Sequence, residues 1–200
     1  MTMKVNYECS YNSIFVKLFF RMKRIFLSEF IKQKKTVGAI TPSSKFLIKK
    51  MLSVLDFSND ISIVEIGPGT GVFTRELLAR MTPNSKLMSF EINPNFYAQL
   101  QTKFTDSRLD LICDSAENLK KHLDFKPNAI VSSLPLAVIP IRVKLNILNA
   151  ISDVLNNENY FIQFQYSTNA KKILEHKFSY VKVDFTPLNV PPAFVFYCKK

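Results

Sequence analysis

Past residue 40 the chain alternates between short apolar runs and segments with helical spacing. ISIVEIG (61–67), KLMSFEI (86–92), LDLICD (109–114), AIVSSL (129–134) and YFIQFQY (160–166) read as strands. SSKFLIKKMLSVL, FTRELLARM, PNFYAQLQTKF and RVKLNILNAISDVLN carry apolar residues at helical intervals. Strands and helices taking turns in this way predict a parallel sheet covered on both faces. YVKVDFTPLNV and AFVFYCK, around the Pro191-Pro192 pair, break the alternation. They predict two long strands joined by a tight turn, hence an antiparallel edge strand on a mostly parallel seven-stranded sheet.

The first element has a different pattern. On a helical wheel, Phe15, Leu18, Phe19, Met22, Ile25, Phe26 and Phe30 share one broad face, with Lys17, Arg21, Arg24 and Ser28 on a narrower strip. KQKK (32–35) follows. Charge separates this segment from the rest. Residues 1–50 hold eleven Lys and Arg against Glu8 and Glu29, whereas the remaining 150 hold sixteen against fourteen acids. The chain therefore divides into a basic amphipathic segment, 1–35, and a nearly neutral domain, 36–200. Such a segment implies an anionic partner, nucleic acid or an anionic membrane surface. SIFVKLFF (13–20) is broken by Lys17 and followed by RMKR, unlike a secretory signal. No run reaches the ~20 apolar residues of a membrane-spanning helix. Cys9, Cys113 and Cys198 are far apart with no CxxC pair, which reads as reduced thiols without a zinc site. His122 and His176 lie among polar residues and read as surface groups.

The chemistry concentrates in VEIGPGTGVFTREL (64–77), where Gly67, Gly69 and Gly71 fall between a strand and a helix. In open parallel sheets ligands lie beyond the carboxyl ends of the strands, and glycine lets a ligand approach bare main chain. A dinucleotide fingerprint would need a third glycine at position 72, which is Val; a phosphate loop would need GK followed by Ser or Thr, which is absent. The spacing GxGxG, preceded by Glu65, resembles motif I of Rossmann-like (class I) S-adenosylmethionine-dependent methyltransferases.

Two further acids fit that resemblance. Glu91 ends the second strand, where a carboxylate accepts both ribose hydroxyls of a nucleoside. Asp114 ends the third, placed for the exocyclic amine of adenine. Ile92 and Ser115 stand beside them in the same strand-end loops and complete the expected cofactor site with Ser133. A ligand with a sulfonium and an ammonium and no phosphate suits acidic neighbours, so S-adenosylmethionine is the expected cofactor.

The fourth strand bears on the methyl acceptor. Methyltransferases of adenine amines end this strand in Asn/Asp-x-Pro-aromatic, the ring stacking on the base. Here it reads Ser133-Leu134-Pro135-Leu136, and leucine cannot supply the ~1–3 kcal/mol of base stacking. Taken together, GAITPSSKFLIKKM (38–51), VEIGPGTGVFTREL, FEINPNF (90–96), SSLPL (132–136), FIQFQYS (161–167) and NVPPAFVF (189–196) resemble the bacterial phospholipid N-methyltransferases, relatives of the ribosomal RNA adenine dimethylases. The likeness runs from about residue 36 to the C-terminus. It implies N-methylation of phosphatidylethanolamine towards phosphatidylcholine, at the cytoplasmic face of the membrane. Under it, Phe15, Phe19, Arg21, Met22, Arg24 and Phe26 meet the anionic phospholipid surface. Ser133 and Tyr166 are the candidate catalytic residues, and Thr41, Ser43 and Ser44 lie near the methionine end of the cofactor. The chain ends just after the last strand, where the RNA dimethylases continue into a helical domain; with SSLPL this argues against nucleic acid as partner. A ribosomal RNA adenine methyltransferase and a methyltransferase of another amino-lipid, such as ornithine lipid, remain the alternatives.

Overall fold

A computed structural model describes residues 45–200. It opens with α1 (Lys45–Met51), which runs on into a short 3-10 turn, Leu52–Val54. There follow β1 (Ser62–Ile66), α2 (Val72–Arg80), β2 (Lys86–Phe90), α3 (Pro94–Lys103) and β3 (Leu109–Ile112). A 3-10 turn, Ala116–Asn118, leads into α4 (Leu119–His122), then β4 (Ala129–Ser132), α5 (Ile141–Val154) and β5 (Tyr160–Gln165). The chain closes with α6 (Lys171–Lys177), β6 (Tyr180–Thr186) and β7 (Ala193–Lys199). The seven strands form one sheet in the order β3-β2-β1-β4-β5-β7-β6.

All seven expected strands are present. β1 to β5 pair in parallel, and their central members are apolar at nearly every position because helices cover both faces. The antiparallel edge is a two-strand device: β7 is antiparallel to both β5 and β6, with β6 outermost. Composition sets that order. AFVFYCK is buried almost throughout, while YVKVDFT alternates between exposed and half-buried positions, as an edge strand should. The helices α4 and α6 were not foreseen. At four and seven residues they span too few turns to show a period, and α6 is anchored by one buried residue, Leu174.

Strand alternation divides the core in two. Val64, Ile66, Met88, Phe90, Ile130 and Phe161 pack against Ile147, Leu148 and Ile151 of α5. Ile63, Leu87, Val131, Ile162 and Tyr197 pack against Leu47 and Met51 of α1 and Phe73 and Leu77 of α2. The Tyr197 hydroxyl donates to the Lys50 carbonyl at 2.6 Å, fixing the end of α1 on β7. Arg108, paired with Asp106 at 2.7 Å, donates to the carbonyls of Leu78, Met81 and Thr82 and closes the C-terminus of α2.

The amphipathic segment, with Phe15, Phe19, Arg21, Met22, Arg24 and Phe26, lies outside the described residues, as do Thr41, Ser43 and Ser44. Cys198 is a free, buried thiol, pushed well above the usual range by burial. Cys113 is disulfide-bonded, contrary to the expectation of a reduced thiol. No helix among the described residues is long and apolar enough to cross a membrane.

Candidate active site at the carboxyl edge of the sheet

β1 lies between β2 and β4, so the connections leaving β1 and β4 diverge to opposite faces of the sheet and open a crevice above their carboxyl ends. The glycine turn lines it. Gly67, Gly69 and Gly71 have φ of 74°, 56° and 78°, a region costly for any residue with a Cβ. Their surroundings differ. A Cβ on Gly71 would sit 2.5 Å from the Phe104 ring and 2.8 Å from Leu100, so this glycine exists to let α3 pack closely. A Cβ on Gly67 would press on Leu134 at 3.1 Å, which brings the fourth-strand loop against the turn. A Cβ on Gly69 would meet nothing within 4 Å. Gly69 thus presents bare main chain to open space, as ligand approach requires.

Glu91 closes the turn from β2. Its carboxylate accepts from the backbone N–H of Gly69 at 3.1 Å and of Asn93 at 2.8 Å, and the residue is 1% exposed. The structure therefore places this acid against the open glycine, joining two candidates 22 positions apart. Ile92 follows it, half-buried.

Glu65 points to the α2 side, among the otherwise apolar residues of the second core. One carboxylate oxygen, Oε2, accepts from the hydroxyls of Thr74 at 2.7 Å and Ser89 at 2.5 Å. The other, Oε1, is buried without a hydrogen-bond partner. Burial pushes this carboxyl up to about 7, against the lowering effect of the two hydroxyls and with Glu91 adding to the rise. A buried carboxylate oxygen with spare accepting capacity, beside the glycine turn, suits a cationic ligand.

Asp114 lies beyond β3. Its carboxylate accepts from the backbone N–H of Ser115 at 2.6 Å, from Asn118 at 3.0 and 3.2 Å, and pairs with the His122 Nε2 at 2.8 Å. Burial raises this carboxyl, but the bonds from His122, Asn118 and Ser115 outweigh it and hold it below the usual range. Ser115 caps the following turn by accepting from the Glu117 N–H at 3.3 Å. His122 is not the surface group expected: its side chain is 15% exposed and stands edge-on to Phe90, 5.6 Å between ring centres. The short α4 returns it to the end of β3, which no local pattern announces.

The fourth-strand loop is held from two sides. The Ser133 N–H donates to the Ile66 carbonyl at 3.0 Å, immediately before Gly67. On β5, Gln163 and Gln165 both donate their side-chain amides to the Leu134 carbonyl, at 2.9 and 2.7 Å. Sequence reasoning assigned these glutamines no role. Their signal was polar residues at alternate positions in an apolar strand, which sends both to one face. Leu136 is 1% exposed and packs in the first core, so it offers no face to a base.

Tyr166, just past β5, is 39% exposed, stands edge-on to Phe164 and is hydrogen-bonded to Asn189. Asn189, itself buried, donates to the Pro191 carbonyl at 2.7 Å, next to the cis Val190–Pro191 bond. Burial raises the Tyr166 phenol, the Asn189 bond partly offsetting it. It therefore stays protonated near neutral pH, and its ring face is the more useful group. So NVPP and FIQFQYS, distant in sequence, converge here. Two cavities lined by described residues, of about 690 and 360 Å³, open at the amino ends of the strands, around Asn156 and Lys200 and around Ser85 and Asp110. They lie away from every candidate residue. Among the described residues no group of three or more His, Cys, Asp or Glu could hold a metal ion.

A glycine turn open at Gly69, a buried acid with a spare acceptor, and acids at the next two strand ends define a Rossmann-like S-adenosylmethionine-dependent methyltransferase. Its cofactor would rest on Gly67 and Gly69, with Glu91 and Asp114 at its nucleoside. More particularly, the chain belongs to the ribosomal RNA adenine dimethylase family, whose pattern residues 19–129 match. It is similar to the ornithine lipid N-methyltransferase of Singulisphaera acidiphila, 24% identical over 88% of this chain and 94% of that protein. It is also similar to the ribosomal RNA small subunit methyltransferase A of Mycoplasma capricolum, 34% identical over 66% of this chain. The chain spans 50% of the length of that second relative. Among solved structures, a precorrin-6y C5,15-methyltransferase from Geobacter metallireducens superposes with a TM-score of 0.64 at 17% identity, covering 80% of this chain and 94% of that one. An rRNA methylase from Streptococcus thermophilus gives 0.60 at 18% identity, covering 81% and 99%. At these identities the likeness is one of fold.

Proposed function

We propose that this methyltransferase acts on the primary amine of a membrane amino-lipid, with phosphatidylethanolamine the foremost substrate and ornithine lipid the second. The observation that carries this reading is the fourth-strand loop. Ser133 stands where nucleobase enzymes of this kind carry Asn or Asp, and Leu136, in the place of their stacking ring, is buried in the core. The similarity to an ornithine lipid N-methyltransferase over nearly its whole length supports the same substrate class. On this reading residues 1–35 bring the enzyme to the inner face of the cytoplasmic membrane, through the Phe face and the basic strip.

S-adenosylmethionine supplies a methyl group on a sulfonium, which leaves as a neutral thioether. The chain's task is to align the amine lone pair behind the S–CH₃ bond and to keep water out. The amine must first shed a proton, which a poorly hydrated site favours. The Ser133 hydroxyl, fixed by its backbone bond to Ile66, accepts from the amine. The Tyr166 ring faces the cationic head group.

The family match and the Mycoplasma relative favour a second reading, methylation of adenine in ribosomal RNA. One experiment separates them. Purified protein receives methyl-labelled cofactor with anionic liposomes containing phosphatidylethanolamine or ornithine lipid in one set, and ribosomal RNA in the other. Label in the lipid phase is expected. Label in RNA with none in lipid overturns the amino-lipid reading.

A further inference from the structure

We infer that the methyltransferase domain carries its own lipid-docking surface, a rim of exposed apolar side chains at the carboxyl edge of the sheet, and that an anionic bilayer covers it. This rests on the amino-lipid reading and names the surface through which that site would meet its substrate.

Among the described residues eight large apolar side chains are exposed, and six of them gather at this edge. Leu188 and Val190, 60% and 64% exposed, lie in the β6–β7 connection. Ile141, 61% exposed, is the first residue of α5, and Leu145 stands one turn later. Phe185 sits at the end of β6, and Tyr166 at the end of β5. Topology brings them to one side, since β4, β5 and β6 run parallel and the connections leaving them share one edge. Scattered exposed apolar residues need no explanation; a concentration around a candidate site marks an interface.

Charge selects the occupant. The β6–β7 connection, PLNVPP, has no charged residue. The first turns of α5 carry Arg142 and Lys144 and no acid. Cations at a helix N-terminus oppose the helix dipole, so local stability does not account for them. The acids nearest the rim are engaged: Asp184, before Phe185, pairs with Lys50 and Lys182, and Glu117 accepts from Asn146 of α5. Apolar tips beside cations, with those acids neutralised or bonded, match a surface that is anionic at its head groups and apolar beneath. The amine at such a surface would face Ser133 and Tyr166 directly.

The test uses the full chain and vesicles of phosphatidylglycerol and phosphatidylethanolamine, with binding read by co-sedimentation. The variants are Leu188→Ser with Val190→Ser, and Ile141→Ser alone, each checked for an unchanged Tm. Tyr180→Ser is the control: this side chain is 45% exposed, but at the opposite end of β6. The double variant is expected to bind vesicles about tenfold more weakly, equivalent to about 1.4 kcal/mol, Ile141→Ser more weakly than wild type, and Tyr180→Ser as wild type. Methylation of a short-chain, monomeric phosphatidylethanolamine should be unchanged in the double variant while methylation of vesicle lipid falls. Vesicle binding within twofold of wild type in the double variant overturns the proposal, and so does an equal loss in Tyr180→Ser. A wild-type dimer that the double variant dissociates would assign the rim to a second copy of the chain instead. If wild type methylates no lipid in either form, the functional reading fails, and the binding ratio still decides the docking surface separately.

Discussion

Glu65→Gln tests whether the acid beneath the glycine turn is a buried carboxyl with an unmet oxygen. In the folded chain this group moves from 4.5 to about 7, with burial the largest cause. At about 1.4 kcal/mol per unit, the shift corresponds to about 3 kcal/mol. Its sign is unfavourable to stability. Between 4.5 and 7 the folded protein retains a proton that the unfolded chain has lost, so stability falls as pH rises through that window. Above 7 the full cost applies. Glutamine is neutral throughout and keeps an oxygen for Thr74 and Ser89, but its amide brings a buried donor where Oε1 lacks a partner. That donor costs about 1–3 kcal/mol at every pH. The variant should therefore be less stable than wild type at pH 5 and gain on it by about 2.5 kcal/mol on going to pH 8. Urea unfolding at half-unit intervals measures this directly. Repeated with S-adenosylmethionine, wild type should gain more from the cofactor at pH 8 than at pH 6, because a cation beside Oε1 favours the carboxylate. Parallel stability curves for wild type and variant across pH 5–8 would refute the reasoning.

Gly69→Ala should cost only about 1 kcal/mol of stability, from its positive φ, yet weaken cofactor binding tenfold or more. Gly71→Ala should destabilise by at least about 1–3 kcal/mol through its overlap with Phe104 and Leu100; Tm and cofactor titration together distinguish the two. Glu91→Ala should lower cofactor affinity strongly, and an unchanged dissociation constant would mean the ribose site has been misplaced. Replacing Phe19 and Phe26 together by Ser should weaken liposome binding about thirtyfold or more, each lost apolar side chain being worth about 1 kcal/mol or more at a membrane interface; undiminished co-sedimentation would remove the membrane role assigned to residues 1–35.

The sheet was legible because β1, β2, β4 and β5 are buried on both faces and so written as mostly apolar runs, separated by helices long enough to show their period. The glycine turn was legible for a related reason: positive φ and close approach leave glycine as the economical choice, so the constraint appears as letters. Glu91 and Asp114 could be read as strand-end acids from spacing alone. What the sequence could not supply is which of these groups is already engaged. That Gly71 serves packing while Gly69 faces open space depends on where Phe104 and Leu100 arrive from α3. Glu65 having one satisfied and one unmet oxygen depends on Ser89, in register with it on β2, and on Thr74, one helix away. His122 reaching Asp114, two glutamines of β5 holding the Leu134 carbonyl, and Asn189 meeting Tyr166 are contacts between segments with no shared local pattern. So is the gathering of Ile141, Leu188 and Val190 at one edge. Periodicity records what each segment buries, and its neighbour in the sheet determines the rest, because hydrogen bonds and exposure belong to pairs of segments brought together only by folding.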